Sequence, residues 1–197
     1  MTRPTETLLA CAASSASLLN DVANLSDDDV RGPSRLPDWT RAHLLTHLAR
    51  NADSFTWLVE GTLTGELRHQ YPEVGMRNRD IEAGSTRSSD ELYEDLARAT
   101  EGLEVAWSRL ADDQWTFVQS GSRGALEMSE MVFRRLREVE VHHVDLDVGY
   151  FAGNWPATYV EGELRRQLER LPERADHTGL VGWLVGRGDA PELGEWW

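Results

Sequence analysis

The chain has 197 residues, 40% of them hydrophobic, with 34 acidic against 20 basic residues and a formal net charge of -14. That length holds one sizeable core and at most a small appended subdomain. The negative charge opposes long-range attraction to nucleic acid or anionic membrane, and no apolar run approaches the roughly 20 residues of a membrane span. A soluble protein acting on small molecules is therefore expected.

The first helical pattern runs from about Thr5 to Leu25, with Leu8, Ala12, Leu19 and Val22 in phase. It contains the only cysteine, Cys11, which cannot form an internal disulfide. The residues around Cys11 resemble a lipoprotein cleavage site, but the stretch before it is shorter than an export signal requires. Cys11 is read as a buried helix residue of a cytoplasmic protein, so any thiol the chemistry needs comes from a cosubstrate.

A second helix starts near Thr40, an N-cap following Pro37 and Asp38, and carries Leu44, Leu48, Phe55 and Leu58 on one face. A long polar connection from Thr62 to Arg87 follows, containing Arg77, Asn78, Arg79 and Asp80; ordered connections of this length often carry function. Ser88 and Glu91 stand at capping-box spacing before the third helix, whose stripe runs through Leu92, Leu96, Ala99, Leu103, Ala106 and Leu110. The fourth runs from about Ser129 to Tyr150. Gly153, Asn154 and Pro156 interrupt the pattern, and a further helix spans about Ala157 to Leu171. With no sustained strand alternation, the expected fold is an all-α dominated four-helix bundle over residues 1–150, with a small extension over 151–197 packing on it.

Metal-binding chemistry is legible in the helical phase. On the fourth helix, steps of three, four and three residues join Arg135, Glu138, His142 and Asp145 into one polar stripe. Side chains four apart on a helix project from one face, so Glu138 and His142 can share one metal ion. On the second helix His47 lies in phase with Leu44, Asn51, Phe55 and Leu58, so its imidazole faces inward. Two histidines and one carboxylate suit zinc and leave a coordination position open. An ordinary salt bridge on a solvated face is the competing reading. Among rival ligands, His43 sits nearer the helix start beside Arg41. His143 and Glu140 lie about 100 degrees or more out of phase with the site. His69 and His177 are taken as surface residues, and Asp145 as a group orienting a ligand or an arginine.

The strings WTRAHLLTHLARNADSF, YPEVGMRNRDIEAG and RRLREVEVHHVDLDVGY resemble, in that order, the mycothiol-dependent maleylpyruvate isomerases, members of the DinB-like four-helix-bundle superfamily. The resemblance implies a zinc held by His47, Glu138 and His142, the residues that helical phase also selects. It further implies an arginine that meets a substrate carboxylate, which the RxxDI pattern places at Arg77, and a second functional arginine for which Arg187 is the candidate. The implied activity is isomerisation of maleylpyruvate or a similar cis-enedioyl acid, with mycothiol or another low-molecular-weight thiol as cosubstrate. The C-terminal region is shorter than in the longer isomerases. A mycothiol S-transferase and a non-enzymatic DinB-like metal-binding module therefore stand as alternatives, and a monomer and a dimer are both open.

Overall fold

A computed structural model describes residues Arg3 to Gly194, and the chain divides after Pro156 into two compact units. The first unit is built on four long helices: α1 (Thr5–Val22), α3 (Arg41–Thr64), α5 (Ser89–Ser108) and α6 (Met128–Asp145). Two shorter helices, α2 (Asp27–Arg31) and α4 (Met76–Gly84), lie in the connections. In this bundle α3 packs along both α5 and α6, while α1 closes the ring against α6 and α5. Leu18, Leu44, Leu48, Leu58, Leu96, Leu103, Val132, Leu136 and Val139 fill the core, each at most 1% exposed.

Helix starts follow the caps expected of their residues. The Thr40 hydroxyl accepts from the His43 backbone N–H while the His43 side chain returns to the Thr40 N–H, and Ser88 and Glu91 close the same reciprocal pair at α5. Gly65, in the left-handed region at φ 73°, ends α3.

The long connection is more ordered than its polarity suggests, because α4 forms within it and docks on α3. A Cβ on Gly84 would lie 2.4 Å from Thr46 Cγ2, so the close approach of α4 to α3 requires glycine there. This docking carries Arg77, in the first turn of α4, to the surface of α3.

One element departs from the expected pattern. Strands β1 (Val118–Gly121) and β2 (Gly124–Glu127) form an antiparallel hairpin, with Val118 opposite Glu127 and Gly121 opposite Gly124. Four-residue strands are too short to show alternation in sequence, and side-chain bonds stabilise the pair locally. Buried Gln119 donates to the carbonyls of Leu58 (3.1 Å) and Glu66 (2.9 Å) and accepts from the Arg68 N–H at 2.6 Å. The end of α3 and the connection after it are thereby tied to the hairpin.

The fourth helix also stops earlier than expected, at Asp145, where Asp147 takes a left-handed conformation at φ 56°. That turn is bound back to the segment preceding α3. The Arg35 guanidinium donates twice to Asp147 Oδ1, at 2.7 and 3.1 Å, the Arg35 N–H donates to the Asp145 carbonyl, and Arg41 Nε donates to the Leu146 carbonyl. These bonds set the beginning of α3 beside the end of α6.

The second unit contains α7 (Ala157–Arg174), with Pro172 inside its last turn, and α8 (His177–Leu184), whose first turn is capped by Asp176. Val160, Leu164 and Leu168, one turn apart on α7, are 41%, 56% and 56% exposed. Arg187 follows α8; it is exposed, and its Nη1 donates to the carbonyls of Gly186 and Val185 at 3.0 and 3.4 Å.

Candidate metal centre

His47, two turns into α3, and Glu138 and His142, near the end of α6, meet at the junction of the two helices. One ligand atom from each lies within 4.8 Å of the other two. His47 Nε2 is 2.9 Å from Glu138 Oε2, and His142 Nε2 is 3.5 Å from the same oxygen. The imidazole rings stand edge to face with centroids 5.0 Å apart. Side-chain exposures of 5% for His47, 15% for His142 and 31% for Glu138 leave the carboxylate as the outward member.

Neighbouring groups fix the ring tautomers. Arg77 Nη2 lies 3.3 Å from His47 Nδ1, and because a guanidinium can only donate, Nδ1 accepts and the ring proton points from Nε2 to Glu138. On the other side, His142 Nδ1 donates to Asp145 Oδ2 at 2.9 Å, directing Nε2 to the centre. A ligating imidazole held through its second nitrogen by a carboxylate is the usual support of a metal site.

The charges follow from the same contacts. Burial pushes His47 down to a pKa of about 4, against the opposing pull of Glu138, so it is neutral near pH 7. Burial also acts against the charged form of His142, but its bonds to Asp145 and Glu138 outweigh it and raise its pKa to about 9. For Glu138 the burial penalty is overcome by hydrogen bonds from both histidines, which hold its carboxyl well below the usual range. The centre therefore pairs a carboxylate with a protonated imidazole, and a bound cation would displace that proton. Two imidazole nitrogens and one ionised carboxylate within reach of a single point form a donor set that fits zinc.

The other sequence candidates fall elsewhere. His43 is engaged by Thr40 and stacked on Trp39, with its Nε2 3.7 Å from Glu82. His143, 1% exposed, turns to the far side of α6, where Nε2 is 3.0 Å from Asp21 and the ring stacks on Tyr150. Glu140 accepts from the Tyr150 hydroxyl at 2.6 Å. His69 and His177 are exposed.

Two participants escape the sequence reading, and a third lies in a different environment from the one expected. Trp39 packs edge-on against His47 with centroids 5.7 Å apart and carries the Arg77 guanidinium over its ring at 5.6 Å. It is directed inward by the turn at Asp38 (φ 63°), where Ser34 bonds the Trp39 carbonyl. Tyr71 lies beside Ser54 and Arg77, and burial raises its phenol pKa. Arg135, on the polar stripe by helical phase, is instead 1% exposed and inserts between the helices, donating from Nη1 to the Leu48 carbonyl and Asn51 Oδ1, both at 2.8 Å. Asn51 Oδ1 is a side-chain acceptor for that buried cation, so Asn51→Leu is expected to lower stability by about 2 kcal/mol in urea unfolding. An unchanged midpoint and slope would show that Arg135 is satisfied without it.

Cys11 is 2% exposed, and burial pushes its thiol up to a pKa of about 12. Thiolate is then scarce near neutrality, and the native protein should react negligibly with an alkylating reagent at pH 8 while the unfolded chain takes up one equivalent. Rapid native labelling would contradict this environment.

Comparison with known proteins agrees with this architecture. No curated protein sequence matches the chain. A crystal structure of the mycothiol-dependent maleylpyruvate isomerase superposes with a TM-score of 0.77 at 28% identity, covering 82% of this chain and 70% of that one. A second structure, of a histidine-to-alanine mutant of that isomerase, gives 0.75 over the same coverage and at the same identity. Residues 11–147 match the family described as the mycothiol maleylpyruvate isomerase N-terminal domain, and with the bundle and the motif order in agreement, the chain belongs to that family.

Proposed function

We propose that the protein is a zinc- and thiol-dependent cis-trans isomerase of maleylpyruvate or a similar cis-enedioyl acid, with mycothiol as cosubstrate. The observation that carries this reading is the convergence of His47, Glu138 and His142 within 4.8 Å, with the Arg77 guanidinium 3.3 Å from His47. His47 Nε2, Glu138 and His142 Nε2 would hold the zinc, which would supply a thiol-binding position and lower the pKa of the bound thiol.

The remaining work falls to the protein's side chains and to the cosubstrate. When Nε2 of His47 is a ligand, its ring proton sits on Nδ1, where Arg77 cannot donate to it. The guanidinium is then free to take a substrate carboxylate through two parallel hydrogen bonds, with Trp39 behind it. Thiolate sulfur adds to one alkene carbon, and the electron pair of the double bond moves onto the conjugated carbonyl. Rotation about the resulting single bond and elimination of the thiolate give the trans isomer, with no net consumption of thiol. Asp145 keeps His142 in the required tautomer throughout. Arg187 stays a candidate for a second substrate carboxylate on the family resemblance alone, and Cys11 takes no part.

Turnover of maleylpyruvate by zinc-loaded protein, with free thiol counted at intervals, tests the assignment. Trans product at constant thiol is expected. Loss of one thiol per substrate consumed would make the protein an S-transferase, and absence of turnover with and without thiol would leave a non-enzymatic metal-binding module.

A further inference from the structure

Beside the metal centre, and separate from its three candidate ligands, lies a cavity of about 390 Å³ between the 69–75 segment, the first turn of α4 and the β1–β2 turn. We propose that it receives the polyhydroxylated carrier portion of the thiol cosubstrate, leaving the sulfur directed to His47, Glu138 and His142. The inference rests on the thiol-dependent reading above and extends it to a second binding region.

The walls are held by their own bonds. Gln70, 6% exposed, donates from Nε2 to Ser54 Oγ at 3.0 Å and accepts at Oε1 from the Ser122 N–H at 2.9 Å, while its backbone N–H donates to the Ser120 carbonyl at 2.9 Å. His69 Nδ1 lies 2.9 Å from Ser120 Oγ, and these two residues form a parallel bridge. The hairpin, which has no other role in the site, thus forms one side of the cavity, and a ligand meets a surface organised before it binds.

Its chemistry indicates the occupant. The lining offers the hydroxyls of Tyr71, Ser120 and Ser122, the amide of Asn78 and the imidazole of His69 as hydrogen-bonding groups, interleaved with the apolar surface of Val74, Gly75 and Gly121. Of the two charged lining residues, Glu73 is paired with Arg79 at 2.9 Å, and Arg77 stands at the boundary with the metal centre. A small dicarboxylate would call for more cations, and a wholly apolar group would leave these polar side chains without partners. A hydroxyl-rich group meets the polarity, and the volume exceeds what the reacting sulfur needs while falling in the roughly 300–1,000 Å³ range of small-ligand sites. Arg77 lines the cavity and also lies 3.3 Å from His47, so the cavity and the metal centre adjoin at that side chain.

The test is a titration of cobalt(II)-substituted protein with mycothiol and with N-acetylcysteine, which carries the thiol without the polyol, reading the sulfur-to-cobalt charge-transfer band. Ser122 is exposed and contributes its backbone N–H to the wall, so Ser122→Trp obstructs the cavity while retaining that bond. Asn78→Trp, on the exposed face of α4, obstructs it from the other side. Each variant is expected to weaken mycothiol at least tenfold relative to N-acetylcysteine at unchanged cobalt content. Arg123→Trp, at the exposed position next to Ser122 and outside the lining, should leave that ratio as it is. An unaltered ratio in both obstructing variants overturns the cavity assignment alone. Absence of the band with either thiol in the unmodified sequence overturns the metal-thiolate reading, and this assignment with it.

Discussion

Replacing His47 or His142 with alanine should remove most bound zinc and lower thiol-dependent turnover by more than about 100-fold, beyond the 10–100-fold typical of losing a group that only supports a ligand. Each histidine presents one nitrogen to the shared centre and neither has a substitute nearby, since His43 is bound into the α3 cap and His143 faces Asp21. His143→Ala should therefore keep its zinc, and Asp145→Asn should weaken zinc by about 10–100-fold by loosening His142. Metal analysis after dialysis, with chelator competition for affinity, distinguishes these outcomes. Equal zinc in the His47, His142 and His143 variants would remove the proposed ligand set. The charge state adds a pH dependence of definite sign. His142 keeps its proton up to about pH 9 in the metal-free protein, and zinc binding must expel it. Zinc affinity should accordingly rise by about tenfold per pH unit from pH 7 and level off near 9. An affinity flat over that interval would mean that His142 is already neutral.

Arg77→Lys should reduce kcat/KM by about 10- to 100-fold at normal zinc content. Lysine preserves the charge but not the planar pair of donors, and charge-assisted hydrogen bonds of this kind contribute about 1.5–3 kcal/mol. The position is specific to Arg77: it alone among the α4 arginines touches His47 and lies over Trp39, whereas Arg79 is paired with Glu73 and bonds the Val74 carbonyl. Arg187→Ala, measured alongside, should raise KM. Unchanged kinetics in Arg77→Lys would leave Arg77 as a structural contact of the metal-free tautomer, and unchanged kinetics in Arg187→Ala would leave that residue to its own turn.

The helices and the convergence of His47, Glu138 and His142 were legible because both depend on period. Apolar residues at helical spacing determine which faces meet, and the inward phase of His47 and of the Glu138/His142 pair follows from the same rotation. Trp39 was not legible, because its direction depends on the left-handed turn at Asp38 and on Ser34, neither of which has a period. Tyr71 and the cavity wall depend on pairing between segments about fifty residues apart, such as His69 with Ser120, and a hairpin of four-residue strands leaves too short a pattern to read. Arg135 shows where polarity misleads. A charged residue on a helix surface is ordinarily solvated, but Arg135 is buried with only Nη1 bonded, at 2.8 Å to Leu48 and Asn51, while Nε and Nη2 have no partner among the described residues. The hydrogen bonds from Arg35 and Arg41 to the end of α6 are likewise invisible to spacing, although they fix the helix junction at which the site forms.

The central claim is that His47, Glu138 and His142 hold a zinc whose open position takes the sulfur of an external thiol. X-ray absorption at the zinc edge, recorded on zinc-loaded protein before and after addition of mycothiol, tests it most directly. Only nitrogen and oxygen neighbours are predicted without thiol, and one sulfur neighbour at about 2.3 Å with it. A zinc shell that contains no sulfur at saturating mycothiol would contradict the account.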